Sequence, residues 1–284
     1  MEEFKSFYET VGGGEGNKCH YPTRLDTYGC GCQHNCKYCY AKSLLSFRKM
    51  WNAKEPAVAD IEKIRKTIKT IPQGSIVRLG GMTDCFQPLE KEIRNTYNTI
   101  KALNEQGVGY LIVTKSSMVA DDEYMKIYDK KLCHIQITVT CTSDELYKKL
   151  DYERASLPSE RLKAIKKLQK AGFDVAIRLS PLIEDYVDFS FINKQGIKKA
   201  IVEFLRVNAW IKKWFKADYS KYKLKEGGYS HLPMREKQRM IARLNIPEIS
   251  VCEDYSPHYK WWTEHYNPNK EDCFNLRKEK VNEN

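Results

Sequence analysis

Three cysteines within the segment Tyr28–Tyr40 have a spacing that can bring three thiolates to one inorganic centre. Cys32, Cys36 and Cys39 are separated by three and then two residues. A structural zinc site normally takes a fourth protein ligand, whereas an iron–sulfur cluster held by three thiolates leaves one iron free to bind another molecule. The spacing therefore predicts an iron–sulfur cluster with one open iron, and zinc or structural thiols are the alternative.

Other potential metal ligands lie on either side of these three cysteines. Cys30 is two residues upstream and Cys19 lies further back, but neither fits the spacing of three and then two residues. His34 lies inside the loop and is expected to face solvent. Near the C-terminus, further metal-ligating residue types are mixed with aromatic residues and match no standard zinc spacing, so an aromatic segment that closes the fold is the preferred interpretation. These residues are His258, Trp261, Trp262, His265 and Cys273.

Length and composition predict a cytoplasmic protein that forms one large domain or a domain with an appendage. The 284 residues are 42% hydrophobic, which is enough for a sizeable core. The charged and glycine-rich N-terminus does not resemble a signal peptide, and no later segment is apolar enough to span a membrane. Without a signal peptide, the ten cysteines favour reduced thiols over a disulfide framework. We expect an extension over 1–18, the main domain over 19–255 and a tail over 256–284.

The net charge of +11 favours an anionic partner, although a lysine-rich composition alone is an alternative explanation. Within the main domain, the basic aromatic segment 210–232 mixes cations with rings, which suits single-stranded or flipped-out nucleic acid. A helix end with packed rings and solvated lysines is the other interpretation of this segment. Its residues include Lys212, Lys213, Lys216, Lys221, Lys223, Lys225, Trp214, Phe215, Tyr219, Tyr222 and Tyr229.

Short β-rich runs alternate with helical patterns along most of the chain. The predicted strands are Arg24–Thr27, Ser75–Leu79, Tyr110–Val113, His134–Thr140, Val175–Leu179 and Ile249–Cys252. The predicted helices are Asn35–Met50, Ala57–Ile71, Glu90–Gln106, Asp121–Lys130, Ser159–Ala171 and a long Gln195–Phe215. This alternation predicts a parallel sheet with right-handed crossovers, that is, an α/β fold of the partial (β/α)6 TIM-type barrel kind.

Polar and thiol side chains follow the predicted strands, where such a barrel has its active site. After the cysteine loop come Gly80–Asp84, Thr114–Ser116, Thr140–Ser143, Arg178–Pro181 and Cys252–Asp254. Because these loops lie at the same end of the sheet, their side chains are expected to surround one mouth together with the three cysteines.

The cysteine spacing, with Tyr38 immediately before Cys39, resembles the cluster loop of the radical SAM enzymes. That resemblance implies a 4Fe–4S cluster whose open iron binds S-adenosylmethionine. It also implies an external electron donor, such as flavodoxin or ferredoxin, and reductive cleavage to a 5'-deoxyadenosyl radical that abstracts hydrogen from a substrate. The segment Gly80–Asp84, followed by Gln87-Pro88 and later by Val113–Ser116, resembles the spore photoproduct lyase branch, often labelled DNA repair photolyase.

The resemblance also implies roles for individual residues. The backbone at Gly80 and Gly81 would bind the amino group of S-adenosylmethionine, since glycine permits close approach. Met82 stands where an acid is usual, so an acidic contact would come from elsewhere, such as Asp84. Lys115 would pair with the cofactor carboxylate. The full implied cofactor-binding set is Gly80, Gly81, Thr83, Asp84, Lys115, Ser116 and Arg178.

The return of a hydrogen atom is where this chain departs from the lyase. By the resemblance Tyr40 would relay the atom, although a packing role is equally compatible with its position. Gly81 falls where the lyase has its donor cysteine, so we predict that this protein does not repair spore photoproduct by the lyase's own relay. Cys141 is the preferred replacement donor, with Cys85 and Cys252 as further candidates and a structural thiol as the alternative.

The sequence thus predicts a radical SAM enzyme whose substrate is a nucleic acid or a nucleotide. A radical modifier of a peptide or a small metabolite is the rival within enzymes. A metal-stapled nucleic-acid-binding protein without catalysis is the rival from another class.

Overall fold

The structure is a computed structural model that describes residues 4–9, 23–150 and 154–267. Its strands are β1 (Phe7–Glu9), β2 (Thr23–Leu25), β3 (Tyr28–Gly29), β4 (Ala57–Val58), β5 (Ile76–Leu79), β6 (Gly109–Thr114), β7 (Cys133–Thr138), β8 (Asp174–Leu182), β9 (Lys199–Phe204), β10 (Leu224–Glu226), β11 (Tyr229–His231) and β12 (Glu248–Cys252). Most strands of the main sheet are followed by a helix or a helical turn before the next begins.

The helices are α1 (Tyr40–Phe47), α2 (Ile61–Ile68), α3 (Glu90–Ile93), α4 (Asn95–Gln106), α5 (Asp122–Met125), α6 (Asp144–Leu150), α7 (Pro158–Lys170), α8 (Phe189–Asn193), α9 (Ala209–Trp214), α10 (Met234–Ile241) and α11 (Ser256–His265). Several are shorter than the sequence pattern suggests. The predicted helix Asn35–Met50 begins only at Tyr40, because the cysteine loop occupies its first residues.

The main sheet has the strand order β1-β2-β5-β6-β7-β8-β9-β12. β1 pairs antiparallel with β2, and the other neighbours pair in parallel. The described sheet therefore has seven parallel strands, and its end strands do not pair with each other. The predicted α/β partial barrel is confirmed, with one more parallel strand than the six expected.

The additional strand is β9, within the predicted helix Gln195–Phe215. Ala200, Ile201 and Val202 are fully buried, because β9 lies between β8 and β12. A strand in the middle of a parallel sheet is buried on both faces and has a continuous apolar run. Here that run also matched the spacing of a helix, so the helix prediction was wrong; α9 begins only after Asn208.

The strands alternate apolar and polar side chains on their two faces. In β7, Cys133, Ile135 and Ile137 belong to the main hydrophobic core, while Gln136 and Thr138 point to the opposite face. The same alternation in β2, β5, β8 and β9 leaves Arg24, Arg78, Arg178 and Glu203 off the apolar face. The barrel interior is therefore polar and mostly cationic.

Parts of the predicted terminal segments are also described. Phe7–Glu9, inside the predicted extension, forms β1 on the edge of the main sheet. In the predicted tail, α11 packs on the barrel through Trp262, which is fully buried. Cys19 and Cys273 lie outside the described residues. No helix in the described ranges combines the length and hydrophobicity required to cross a bilayer.

Candidate active site

A cleft of about 910 Å³, including its open mouth, lies at the carboxyl ends of the parallel strands. Most of the predicted site residues line it, although they come from three separate strands, β5, β6 and β8, and from the cysteine loop. The predicted residues in its wall are Cys32, Cys36, Cys39, Tyr40, Gly80, Gly81, Thr83, Asp84, Lys115 and Arg178. Ser116 and Cys141 are the two predicted residues that do not line it.

The cysteine loop is held in a defined shape by hydrogen bonds. The backbone N–H of Asn35 donates to the Cys32 carbonyl at 2.9 Å, and that of Cys39 donates to the Cys36 carbonyl at 3.1 Å. The N–H of Gln33 donates to the side chain of Gln87 at 2.7 Å. Cys39 is the N-cap of α1, and its Sγ accepts from the N–H of the third residue along at 3.4 Å.

The donor set of this loop fits an iron–sulfur cluster. None of the three cysteines forms a disulfide and all three line the same cleft, whereas Cys30 does not line it. Burial, with a further contribution from the charge of Asp84, raises the pKa of Cys32 to about 12. Among the described residues, no three His, Cys, Asp or Glu side chains are grouped around a single-ion position. A 4Fe–4S cluster does not require three ligands around one ion position, because each thiolate binds a different iron.

The conformation of the glycine turn Gly80–Asp84, after β5, depends on its glycine backbone and on the carboxylate of Asp26, which directly follows β2. Gly80 has φ +79°, and a Cβ there would lie 3.0 Å from the carbonyl oxygens of Thr83 and Val113. Asp26 accepts from the N–H groups of Gly81 at 2.7 Å and Met82 at 3.1 Å. Burial raises the pKa of Asp26 to about 6. Asp26 was not predicted as a site residue, because its only signal in the sequence was a polar residue at the end of a predicted strand.

Asp84 ties the glycine turn to the end of β6. Its carboxylate accepts from Thr114 Oγ1 and from the backbone N–H of Lys115, both at 2.7 Å. His34 Nδ1 lies 3.2 Å from Asp84 Oδ2, without the alignment of a hydrogen bond. Burial alone would raise the pKa of Asp84, but His34 and these hydrogen bonds hold it at about 2. The expectation that His34 faces solvent was wrong, since the side chain is 1% exposed.

The two residues after Thr114 point to different places. Lys115 lines the cleft, with its Nζ 5.6 Å from the ring centroid of Tyr38. Ser116 instead caps a short turn, where its Oγ accepts from the N–H of Met118 at 3.3 Å, and it lines a neighbouring cavity. Thr83 lines the cleft but donates its hydroxyl hydrogen to the carbonyl of Tyr28 at 2.6 Å.

Arg178 and Glu203 form an ion pair in the cleft wall. Arg178 Nη2 lies 2.7 Å from Glu203 Oε2, and its Nη1 donates to Gln136 at 3.0 Å. Ser180 donates to the same Glu203 oxygen at 2.6 Å. Burial would raise the pKa of Glu203, but Arg178 and Arg206 lower it to about 2. Glu203 and Arg206 were missed because their chain segment was assigned to a helix.

Tyr40 lies between the glycine turn and a guanidinium group. Its hydroxyl donates to the Gly81 carbonyl at 2.8 Å, and Arg206 Cζ lies 4.3 Å from its ring centroid. Burial raises the pKa of Tyr40 to about 12. The phenol therefore keeps its proton at neutral pH.

The thiols considered as hydrogen donors lie away from the cleft. Cys141 Sγ donates to the carbonyl of Ser143 at 3.3 Å and packs with Tyr147 and Ala155 in a separate small core. Cys85 is completely buried in the main core. In the described part of the chain, the thiols that line the cleft are those of the cysteine loop.

The basic aromatic segment 210–232 is divided between core and surface. Ile211 and Phe215 are buried beside Tyr38, whose ring lies 5.5 Å from that of Phe215. Trp210 is exposed on α9. The later residues form the hairpin of β10 and β11.

Comparison with known proteins identifies the family. The sequence pattern of the Radical SAM superfamily matches residues 27–188. The chain belongs to the radical SAM superfamily. Members of this superfamily are enzymes that use a 4Fe–4S cluster and S-adenosylmethionine. The prediction of an enzyme with these two cofactors is confirmed at the level of the family.

Two curated sequences are similar to part of the chain. An uncharacterised protein of Methanocaldococcus jannaschii is 31% identical over 165 residues, which are 57% of this chain and 61% of that protein. An uncharacterised protein of Acidianus two-tailed virus is 24% identical over 171 residues, 55% of this chain and 54% of that protein. The chain therefore spans little more than half the length of these relatives.

Solved structures share the fold. A spore photoproduct lyase variant with bound AdoMet and dinucleoside spore photoproduct aligns over 82% of this chain and 77% of its own, with TM-score 0.62 and 16% identity. Streptococcus suis SuiB bound to S-adenosylmethionine aligns over 82% of this chain and 50% of its own, with TM-score 0.53 and 13% identity. At these identities the likeness concerns the fold.

Proposed function

We propose that this protein reductively cleaves S-adenosylmethionine at a 4Fe–4S cluster held by Cys32, Cys36 and Cys39, and that its substrate is a nucleic acid or a nucleotide. The observation that supports this most directly is that three cysteines, none of them in a disulfide, line the wall of one cationic cleft. The bound cofactors supply a 5'-deoxyadenosyl radical, which removes a hydrogen atom from the substrate. An external carrier such as flavodoxin or ferredoxin supplies the electron, and a reducing, cytoplasmic setting is part of the proposal.

The residues around the glycine turn position S-adenosylmethionine. Asp26 holds the N–H groups of Gly81 and Met82, so the turn presents a fixed backbone edge to the cleft. Lys115 offers its ammonium group to the cofactor carboxylate, while Asp84 fixes the backbone of the same residue. Asp26 therefore supports the turn from behind without lining the cleft, and Asp84 is the carboxylate of this loop that does line it.

The charge of the cleft supports an anionic substrate. Four cationic side chains line it, Arg78, Lys115, Arg178 and Arg206, against two carboxylates, Asp84 and Glu203. Guanidinium groups in particular match phosphate oxygens in geometry and charge. The structural likeness to a lyase crystallised with a dinucleoside photoproduct supports the same substrate class. A peptide or small-metabolite substrate is the rival within this chemistry.

Tyr40 is the hydrogen donor that we assign to the end of the reaction. Its hydroxyl gives a hydrogen atom to the substrate radical, and the tyrosyl radical left behind takes one electron from the external carrier and a proton from solvent. Its hydroxyl lines the cleft and stays protonated because the pKa is raised to about 12. Cys141, the donor preferred from the sequence, packs elsewhere. Repair by the lyase's own cysteine-dependent relay is therefore not part of the proposal.

The decisive experiment is anaerobic reconstitution with iron and sulfide, followed by reduction with dithionite in the presence of S-adenosylmethionine. We expect a brown protein that forms 5'-deoxyadenosine. Cys32→Ala, Cys36→Ala and Cys39→Ala should each abolish both, since each removes the thiolate from one iron. Cys30→Ala is the matched control and should retain both. A colourless zinc protein that binds oligonucleotides would instead support the non-catalytic rival.

Substrate assignment needs a separate measurement. Nucleosides from cells with and without the protein are compared by untargeted mass spectrometry. A nucleoside species that depends on wild-type protein and is lost with Cys36→Ala supports the nucleic-acid assignment. A change confined to peptides or metabolites would favour the rival substrate class.

A further inference from the structure

Helices α1 and α9, beside the cysteine loop, expose apolar side chains outside the cleft. Among the large hydrophobic residues that are exposed in the described chain, Leu44, Phe47 and Met50 follow one another on α1 and the turn after it, and Trp210 lies on α9. Phe47 has 75% of its surface exposed. Groups of exposed apolar residues on a soluble protein commonly mark an interaction site.

The two helices form one surface because their side chains interlock. Asn208 Nδ2 donates to Ser43 Oγ at 3.2 Å, which joins the start of α9 to the middle of α1. Lys42 Nζ lies 4.6 Å from the ring centroid of Trp214, a cation–π contact. Trp214 in turn packs against Trp210, with 5.3 Å between their ring centroids.

The two chain segments that carry these apolar residues have charged side chains of one sign only. Residues 37–54 and 208–216 contain no aspartate or glutamate. Their cationic residues are Lys37, Lys42, Arg48, Lys49, Lys54, Lys212, Lys213 and Lys216. We call the apolar residues Leu44, Phe47, Met50, Trp210 and Trp214, together with these cations, the α1–α9 surface. Its partner must be acidic, because a basic partner would be repelled.

This surface starts at a proposed cluster ligand. Cys39 caps α1, and its Sγ accepts from the backbone N–H of Lys42, so the surface begins about one helical turn, or about 5.4 Å along the axis, from that thiolate. Trp51, directly after Met50, lines the cleft itself. An electron that enters the protein here has a short path to the cysteine loop.

We propose that the α1–α9 surface is the docking site of an acidic electron-carrier protein of the flavodoxin type. This inference rests on the proposed function, because the electron is delivered to the cluster at Cys39. In each encounter the carrier's flavin hydroquinone loses one electron and becomes the semiquinone, the cluster gains that electron, and no covalent bond changes. An apolar centre with a charged rim suits a small, transient redox interface.

A protein partner fits this surface better than a nucleic acid does. Leu44 and Met50 offer neither a flat stacking face nor a hydrogen-bond donor to a base. Protein interfaces, in contrast, are enriched in Met and aromatic residues at their centre. The surrounding lysines would raise the association rate with an acidic carrier, in a way that salt suppresses.

The test measures binding of oxidised flavodoxin to the cluster-loaded protein by anaerobic calorimetry at low and high ionic strength. The variant Phe47→Ser/Lys213→Glu changes the apolar centre and the charge together. Phe191→Ser/Lys194→Glu on α8 is the matched control, since Phe191 is also exposed. We expect the first variant to weaken binding by about tenfold or more at low ionic strength, and the control to bind as the wild type does.

Electron transfer supplies a second readout. Stopped-flow oxidation of flavodoxin hydroquinone should slow in the α1–α9 variant in proportion to the lost affinity. Formation of 5'-deoxyadenosine with dithionite should be unchanged in that variant, which also shows that it is folded and loaded. Arg48→Glu/Lys49→Glu, which leaves the apolar centre intact, should show the same pattern.

Three outcomes would overturn the inference. Wild-type flavodoxin affinity in both surface variants would exclude this docking site. Loss of affinity for a single-stranded oligonucleotide, without loss for flavodoxin, would assign the surface to nucleic acid. Failure of the unmodified protein to form 5'-deoxyadenosine with dithionite would overturn the proposed function itself, and the docking site with it.

Discussion

Asp26 is a buried carboxylate that holds a loop through backbone N–H groups. Burial raises its pKa from 3.8 to about 6, against the lowering effect of the hydrogen bonds from Met82 and Gly81. Because the folded protein binds this proton more tightly than the unfolded chain does, the contribution to stability is full below 3.8 and is lost as the pH rises to about 6. The shift corresponds to about 3 kcal/mol.

Asp26→Asn tests this linkage. The amide cannot titrate, so the free energy of unfolding of the variant should lack the decline of about 2 kcal/mol that Asp26 gives the wild type between pH 4 and about pH 6.5. Urea unfolding of both proteins across this range provides the comparison. Carboxylates with lowered pKa values, such as Asp174, change the stability only at lower pH. They are present in both proteins, so their effect cancels in the comparison. Parallel pH profiles would contradict the raised pKa.

Lys115 should contribute to cofactor affinity without contributing to iron binding. A charge-assisted contact of this kind is worth roughly 1.5 to 3 kcal/mol, so Lys115→Ala should weaken S-adenosylmethionine binding by about one to two orders of magnitude. Equilibrium titration of the cluster-loaded protein gives the affinity, and iron analysis shows the loading. Lys91→Ala is the control, because Lys91 lines the neighbouring cavity and not the cleft. Equal affinities would reject the assigned role.

Tyr40 can be tested before the substrate is known. When cleavage runs without substrate in D2O, we expect an exchanged Tyr40 hydroxyl to transfer a deuterium atom to the deoxyadenosyl radical. One electron from dithionite and a deuteron from solvent would then restore the tyrosine. Tyr40→Phe keeps the ring under Arg206 but has no hydroxyl, so deuterium in 5'-deoxyadenosine should fall severalfold as measured by mass spectrometry. Cys141→Ala should retain the wild-type level, since Cys141 does not line the cleft. The reverse pattern would restore the thiol donor.

At the scale of elements, a buried ion pair fixes helix α11 to the barrel. Lys237 on α10 contacts both carboxylate oxygens of Glu253 at 2.6 and 2.7 Å, and the two side chains are 1% and 2% exposed. Trp262 on α11 donates its indole N–H to the same carboxylate at 2.8 Å. One carboxylate therefore joins α10, the end of β12 and α11.

Removal of the Lys237 ammonium group should strongly lower the free energy of unfolding. Lys237→Met leaves Glu253 buried without its counter-ion, and such losses typically cost about 3–5 kcal/mol. Lys221→Met is the control, because Lys221 pairs with Glu236 on the surface and should contribute at most about 1 kcal/mol. Denaturant unfolding measures both changes. Similar values for the two variants would show that the buried pair is not the main attachment of α11.

The elements predicted correctly from the sequence are those whose residue pattern is compatible with only one kind of structure. The alternating run in β7 and the cysteine loop needed no information from distant parts of the chain. β9 could not be assigned, because a strand buried on both faces and an apolar helix share the same run of residues. That single error concealed Glu203 and Arg206, which belong to the cleft. Tertiary placement also separated Cys141 from the cleft, and no local spacing could have indicated this.

At the scale of the whole molecule, positive charge is concentrated in two places, the α1–α9 surface and the cleft. The α1–α9 surface contains eight cationic side chains without a carboxylate, and the cleft contains four against two. The net charge of +11 therefore does not describe an evenly basic protein. The open sheet of parallel strands brings the cleft and the α1–α9 surface together at the cysteine loop. In our proposal, the electron and the substrate would therefore approach the same centre from different sides.

The hydrogen bond from Gly81 to Asp26 spans 55 positions of the chain. A search pattern that demands an acid directly after the two glycines would reject this protein, because Met82 stands there, although the carboxylate of Asp26 supports the turn from the end of β2. Distant relatives with the same arrangement would be overlooked in genome surveys for the same reason. A search that accepts any residue at position 82, provided that an aspartate stands six residues before the first cluster cysteine, would recover them.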